Sequence, residues 1–139
     1  MASMTPEAQK AFLAQTRLGF LSTLGHDGAP ISIPIWFEWD GQCARMFTGA
    51  TSPKIRRLQR DPRASLVIAS ALGEKEEWVS IEGTITIRTE GGIELAERLA
   101  QRYWDLSQPD RARTLQAWRD EASSLRLLEL SPSRVRSYT

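Results

Sequence analysis

One cysteine and one histidine in 139 residues leave little for the chemistry many small proteins depend on. Cys43 has no partner, which excludes an intramolecular disulfide framework, and together with His26 it falls short of any Cys/His zinc site. No metal centre is expected. The chain also lacks an apolar run approaching the roughly eighteen residues that span a bilayer, and Met1 to Gln15 lacks the apolar stretch of a secretory signal. The expectation is a soluble, cytoplasmic protein that does not engage a membrane. Charge of one sign is missing as well: 18 Lys and Arg against 17 Asp and Glu leave +1. No global field recruits nucleic acid, and no acidic excess keeps the chain disordered, so any cationic site must be local. Repeats, low-complexity tracts and Gly/Ser linkers are absent, and residues 1–139 read as one domain.

Aromatic residues are plentiful by contrast. Five tryptophans, Trp36, Trp39, Trp78, Trp104 and Trp118, provide large flat contact surfaces, either in the core or toward a partner. Thr5-Pro6-Glu7 supplies a cap and a first-turn proline before Ala8, Ala11 and Phe12, which predicts an opening helix. The period then shortens to two. Leu18–Leu24 predicts a strand, Gly25-His26-Asp27-Gly28 a tight turn, and Ile31 to Trp39 a returning strand with Ile31, Ile33, Ile35, Phe37 and Trp39 on one face. Pro34 cannot donate to a ladder, so that strand is an edge or is bulged. A turn at Asp40-Gly41 and strands over Ala44–Thr48, Ala64–Ser70 and Trp78–Arg88 follow. Ile93, Ala96, Leu99, Ala100 and Tyr103 form one helical stripe, and Ala112, Leu115, Trp118 and Ala122 after Pro109 form another. Leu125–Leu130 and Val135–Tyr138 read as a sixth strand interrupted at Ser131-Pro132. The pattern is mainly β with added helices, and six mostly antiparallel strands suggest a small barrel.

The segment from Phe47 to Leu66 carries the most chemical information. A strand end at Thr48-Gly49, small hydroxyl residues, and a helix opened by Ser52-Pro53 present free N–H groups and a positive dipole end to an anion. Lys54 in the first turn opposes that dipole, a conflict that a bound phosphate resolves. Lys54, Arg56, Arg57, Arg60 and Arg63 concentrate positive charge within ten positions. Two readings remain open: a solvated basic helix face, or an anion site. Nucleic acid is disfavoured, because aromatic residues do not interleave with the basic ones.

Taken in order, Gly19-Phe20-Leu21-Ser22-Thr23-Leu24, His26-Asp27-Gly28, Ala29-Pro30, Pro34-Ile35-Trp36-Phe37, Thr48, Ser52, Lys54, Asp61-Pro62-Arg63 and Trp78-Val79-Ser80-Ile81-Glu82-Gly83 resemble the pyridoxamine 5′-phosphate oxidase-like flavin-binding split-barrel family over Ala11 to Tyr138. The resemblance implies a six-stranded antiparallel split β-barrel, a homodimer, and FMN held in clefts at the subunit interface. It places Thr48 with Gly49, Ser52 and Lys54 on the cofactor phosphate. Pro53 stands where the oxidase branch has an arginine, and Arg57 is a candidate substitute. Ser32, Pro34, Ile35 and Trp36 are implied to run along the isoalloxazine, although Ser32 and Phe37 replace an arginine and a lysine of that branch. Trp78 replaces a glutamine that reaches the flavin, and is expected to stack at or shield the cofactor edge. The branch's C-terminal residues for substrate phosphate have no counterpart before Thr139, so oxidation of pyridoxamine phosphate is not expected.

No side-chain acid or base stands out as catalytic. His26 reads as a solvent-exposed turn residue, Cys43 as a small core hydrophobe, and Glu74 to Glu77 as a solvated loop. Trp104 and Trp118 read as core or dimer packing. Three functions remain open: an FMN-dependent oxidoreductase passing hydride to or from a small molecule, a reductase using a deazaflavin coenzyme, and a non-catalytic flavin- or haem-binding module.

Overall fold

The computed structural model describes residues 2–139. Thr5 caps the first helix, α1 (Pro6–Ala14), by accepting the Ala8 N–H on its side chain at 3.1 Å, and Pro6 occupies the first turn as its fixed φ favours. Seven strands follow: β1 (Gly19–Leu24), β2 (Pro30–Ile35), β3 (Glu38–Trp39), β4 (Ala44–Gly49), β5 (Arg63–Ala69), β6 (Trp78–Arg88) and β7 (Leu125–Tyr138). Between them lie α2 (Pro53–Arg60), α3 (Gly92–Tyr103) and α4 (Pro109–Asp120). The strands form one sheet in the order β2-β1-β5-β6-β7-β4-β3, and every neighbouring pair is antiparallel.

The expected long second strand is two. Its first half pairs with β1 at one edge of the sheet and its second half with β4 at the other, so the Trp36-Phe37 corner joins the two edges covalently. The count of seven rather than six comes from this split. The physical cause lies in two adjacent bulky rings: Phe37 is fully buried in the barrel interior, while Trp36 packs into a second cluster with Leu95 and Leu99 of α3. Tyr103 of α3 fixes the corner, its hydroxyl accepting the Phe37 N–H at 3.3 Å and donating to the Arg17 carbonyl at 2.6 Å. Because β2 is mostly exposed, the apolar face expected from Ile31 onward is buried only at its far end. Pro34 does sit on an edge strand, where its missing donor leaves no ladder bond unmade.

β7 runs continuously through Ser131-Pro132, correcting the predicted interruption, and the irregularity appears instead as a register shift opposite Glu82/Gly83. Gly83 is required there. A Cβ at this position would lie 2.0 Å from the Ser131 carbonyl oxygen, a backbone atom that cannot swing away. Ala122 also falls outside its predicted helix, in a short 3-10 turn after α4.

The interior alternates as a period of two requires, with Leu21, Met46, Leu66, Ile68, Val79, Ile81, Leu128 and Leu130 fully buried. Burying each such side chain contributes about 1.5 to 3 kcal/mol. Ile55 and Leu58 bring α2 onto this same core, which anchors the basic helix to the barrel. None of the helices in the described residues is long and apolar enough to cross a membrane.

Candidate functional site

The turn from β4 into α2 brings the hydroxyl residues together. Thr48, buried at the end of β4, donates from Oγ1 to Ser52 Oγ at 2.9 Å, and the Ser52 N–H bonds the Gly49 carbonyl at 3.0 Å. Ser52 is the N-cap residue, yet its side chain does not cap the helix; Pro53 has no N–H and the Ile55 N–H bonds the Ser52 carbonyl at 3.1 Å, so in the first turn it is the Lys54 N–H that keeps its capacity for an outside acceptor. A hollow of about 240 Å³ lies beside this turn, lined by Thr51, Ser52 and Arg56 among others.

Positive charge here is uncompensated. Lys54, Arg56, Arg57 and Arg60 pair with no carboxylate among the described residues, although eight arginines elsewhere do. Arg63, the fifth member of the basic segment, is claimed by Asp61 at 2.8 Å and drops out. The half-buried Lys54 ammonium is held below its usual pKa, first by loss of water and then by the nearby Arg57 guanidinium. Arg57 itself is steadied by donating from Nε to the buried Thr23 hydroxyl at 2.8 Å. Two adjacent cations without counter-charge, beside a hydroxyl pair and a helix N-terminus, suit an anion of more than one charge.

Pro34, Ile35 and Trp36 line a different cavity, of about 410 Å³, together with Leu18, Phe47, Trp104 and Trp118. Trp36 stacks on Tyr103 with ring centroids 5.1 Å apart and an interplanar angle of 3°, and meets Trp104 edge-on at 4.8 Å. Trp104 and Trp118 stack on each other at 5.4 Å. The two groups are joined by consecutive residues of β4: Thr48 is turned to the barrel interior and Phe47 to the aromatic cluster.

Ser32 and Trp78 lie apart from both. Ser32 is exposed on β2 and bonds Ser22 at 2.7 Å, next to a third cavity of about 530 Å³ lined by Ser22, Arg63, Ser65 and Glu82. Arg63 and Glu82 there are already paired, with Asp61 and Arg136, so that cavity offers no unbalanced charge. Trp78 stacks with Tyr138 at 6.3 Å. His26 is exposed, as expected. Cys43 is only half-buried, in the turn before β4 and with Sγ 3.9 Å from Ser131 Oγ, because the Asp40 turn rather than the core receives it. Glu74 is not merely solvated either: it pairs with Arg17 at 2.6 Å. No cluster of potential metal ligands occurs among the described residues.

The profile of pyridoxamine 5′-phosphate oxidase matches residues 5–138. The chain belongs to that family. No curated protein matches the sequence. Among solved structures, an F420 reductase aligns with a TM-score of 0.72 at 19% identity, covering 91% of this chain and 94% of that one. General stress protein 26 from Bacillus anthracis aligns with a TM-score of 0.68 at 21% identity, over 94% and 90% of the two chains. A heme binding protein from Mycobacterium smegmatis gives 0.66 at 22% identity, covering 99% of this chain and 55% of that one. At these identities the likeness establishes the split-barrel fold shared with the pyridoxamine 5′-phosphate oxidase family.

Thr23, Phe47, Trp104 and Trp118 were not among the site residues expected from sequence. The signal for the last three was present in the aromatic content and in their helical or strand stripes, but it reads equally well as core. Thr23 carried none, since an inward-facing threonine is unremarkable until Arg57 arrives on it from α2.

Proposed function

We propose that this member of the pyridoxamine 5′-phosphate oxidase family binds FMN and acts as an oxidoreductase on a small molecule, as one domain. The observation that carries the reading is the row of uncompensated cations on α2 beside the Thr48–Ser52 hydroxyl pair. The donor set fits a phosphate: Lys54 and Arg57 provide charge, Ser52 a hydroxyl, and the first turn of α2 the Lys54 N–H, with Thr48 and Gly49 shaping the entry. Pro34, Ile35 and Trp36 present an apolar, aromatic flank suited to a flavin ring, whose bound form supplies hydride chemistry. Ser32 and Trp78 belong to this reading only if a second copy brings them near. A homodimer is consistent with the exposure of Leu18, Phe20 and Ile31 on and beside the β1–β2 face.

A deazaflavin coenzyme is the second reading. It is favoured by the extent of the basic row, since the exposed Arg56 and Arg60 exceed what one phosphate needs and suit a longer anionic tail. The structural neighbour named an F420 reductase is compatible with it. Haem gains nothing from His26, which lines neither cavity described around the site. The absorbance spectrum of the purified protein, followed by FMN titration of the stripped chain, tests the proposal. A flavin spectrum and saturable FMN binding are expected, and a haem spectrum with no FMN binding would reject it.

A further inference from the structure

The Trp36-Phe37 corner has no ladder of its own. β2 pairs with β1 only as far as Ile35, and β3 takes up its pairing with β4 at Glu38, so the backbone between them must find partners outside the sheet. Among the described residues the Phe37 N–H finds one, the Tyr103 hydroxyl at 3.3 Å. That hydroxyl spends its proton on the Arg17 carbonyl at 2.6 Å, and burial raises the phenol above its ordinary pKa, so the proton is kept through mildly alkaline solution. Tyr103 is the last residue of α3, and its ring lies parallel to the Trp36 indole, 5.1 Å away at 3°. One side chain thus holds both the backbone and the ring of the corner.

The surroundings offer no substitute. Arg102 donates to the Leu13 and Gln15 carbonyls and lies 5.7 Å from the centroids of the Phe37 and Tyr103 rings, while Arg17 pairs with Glu74. Even so, Arg17 Nε and Arg102 Nε are buried without an acceptor. Donors already outnumber acceptors at this joint. A Phe37 N–H deprived of the hydroxyl would be a third unmatched donor, and the corner would have to turn to satisfy it.

We propose that Tyr103 is a positioning residue for the flavin flank, acting through Trp36: its hydroxyl and ring together set the rotation of the indole against the bound flavin. The proposal rests on the reading that Pro34, Ile35 and Trp36 flank that ring, so its test separates the two.

The full-length chain is compared with three variants. Tyr103→Phe keeps the stacked ring and removes the hydroxyl; Trp36→Phe identifies the Trp36 indole N–H resonance and its share of flavin quenching; Ile85→Ala, a core truncation on β6 beside Pro62, reports what lost stability alone does. Without FMN, Tyr103→Phe should shift or split the Trp36 resonance and leave that of Trp78, which stacks on Tyr138, in place. A nearby indole quenches flavin fluorescence by electron transfer, steeply with separation. The lifetime of bound FMN should therefore be short in wild type and Ile85→Ala, and longer in Tyr103→Phe and Trp36→Phe. FMN and riboflavin should both bind Tyr103→Phe about threefold to tenfold more weakly, as expected for one lost hydrogen bond far from the phosphate. If FMN binds and Trp36→Phe lengthens its lifetime, but Tyr103→Phe leaves the Trp36 resonance and the lifetime unchanged or Ile85→Ala reproduces its effects, the proposal is overturned and the flavin reading stands. If FMN does not bind, or Trp36→Phe leaves its lifetime unchanged, the flavin flank itself falls and takes this role of Tyr103 with it.

Discussion

Arg57 on α2 donates from Nε to Thr23 Oγ1 on β1 at 2.8 Å, so a buried hydroxyl inside the barrel aims a guanidinium at its rim. Removing the hydroxyl while keeping the shape isolates that role. Thr23→Val should weaken FMN binding several-fold, consistent with loss of roughly 1 kcal/mol of hydrogen bonding, and should leave riboflavin binding almost unchanged. Parallel titrations of the two ligands provide the check, and equal losses for both would mean that Thr23 acts through the fold.

Lys54 allows a sharper version of the comparison. Its folded pKa lies below the ordinary lysine value, so its charge disfavours the native state until pH rises through that lowered pKa, and a bound anion offsets the penalty. Lys54→Ala should cost FMN about 1.5 to 3 kcal/mol, tenfold to a hundredfold, and cost riboflavin little. Inorganic phosphate should also raise the melting temperature of the wild type more than that of the variant.

Trp36 combines two duties. It touches four other rings, so Trp36→Ala should lower stability, by less than the roughly 3 to 5 kcal/mol of a fully buried aromatic because it is only half-buried. FMN affinity should fall as well, while the preference for FMN over riboflavin persists. A shifted melting curve with an unchanged FMN dissociation constant would return Trp36 to packing alone.

At the barrel rim, Asp40 accepts the Gln42 and Cys43 N–H groups, both at 2.7 Å, and pairs with Arg45 at 2.5 Å. These contacts, led by the Cys43 N–H and then Arg45, hold its carboxyl down to about 2. Because the folded pKa is depressed, the stabilisation is complete above the unfolded value of about 3.9 and is lost as pH falls toward 2. Acid titration of wild type and Asp40→Ala should therefore give stability curves that are separated at neutral pH and converge between about pH 4 and pH 2. Curves that stay parallel over that range would refute the assignment.

Assembly is tested by sedimentation. With FMN present, a homodimer is expected at micromolar concentration, and substituting Phe20, 47% exposed, with Glu should shift it toward monomer. A wild-type monomer under those conditions would rule the dimer out.

How far these features could be read from sequence varied with the reach of the forces involved. Local rules located α1 through Thr5 and Pro6, the Asp40-Gly41 turn, and the opening of α2 at Ser52-Pro53, because caps, turn residues and prolines act within a few positions. The basic row was visible, but its meaning depended on which cations find carboxylates, and only the fold assigns Arg63 to Asp61 while leaving Lys54 and Arg57 free. The split of the second strand was hidden for a similar reason. A period of two runs unbroken from Ile31 to Trp39, and the corner exists because Tyr103, sixty-six residues away, binds Phe37.

The covalent corner at Trp36-Phe37 also governs what this molecule cannot do. A sheet of seven strands normally ends in two rows of unpaired backbone groups, each a template on which another chain can grow. Here one such row is broken by Pro30 and Pro34 on β2, and the other is only two residues long on β3. Since both rows belong to one continuous segment, neither can peel away without dragging the other and the buried Phe37 with it. A chain with this much β-structure thus withholds the long flat edge on which cross-β growth depends, and it does so through the same residues that flank the aromatic cavity.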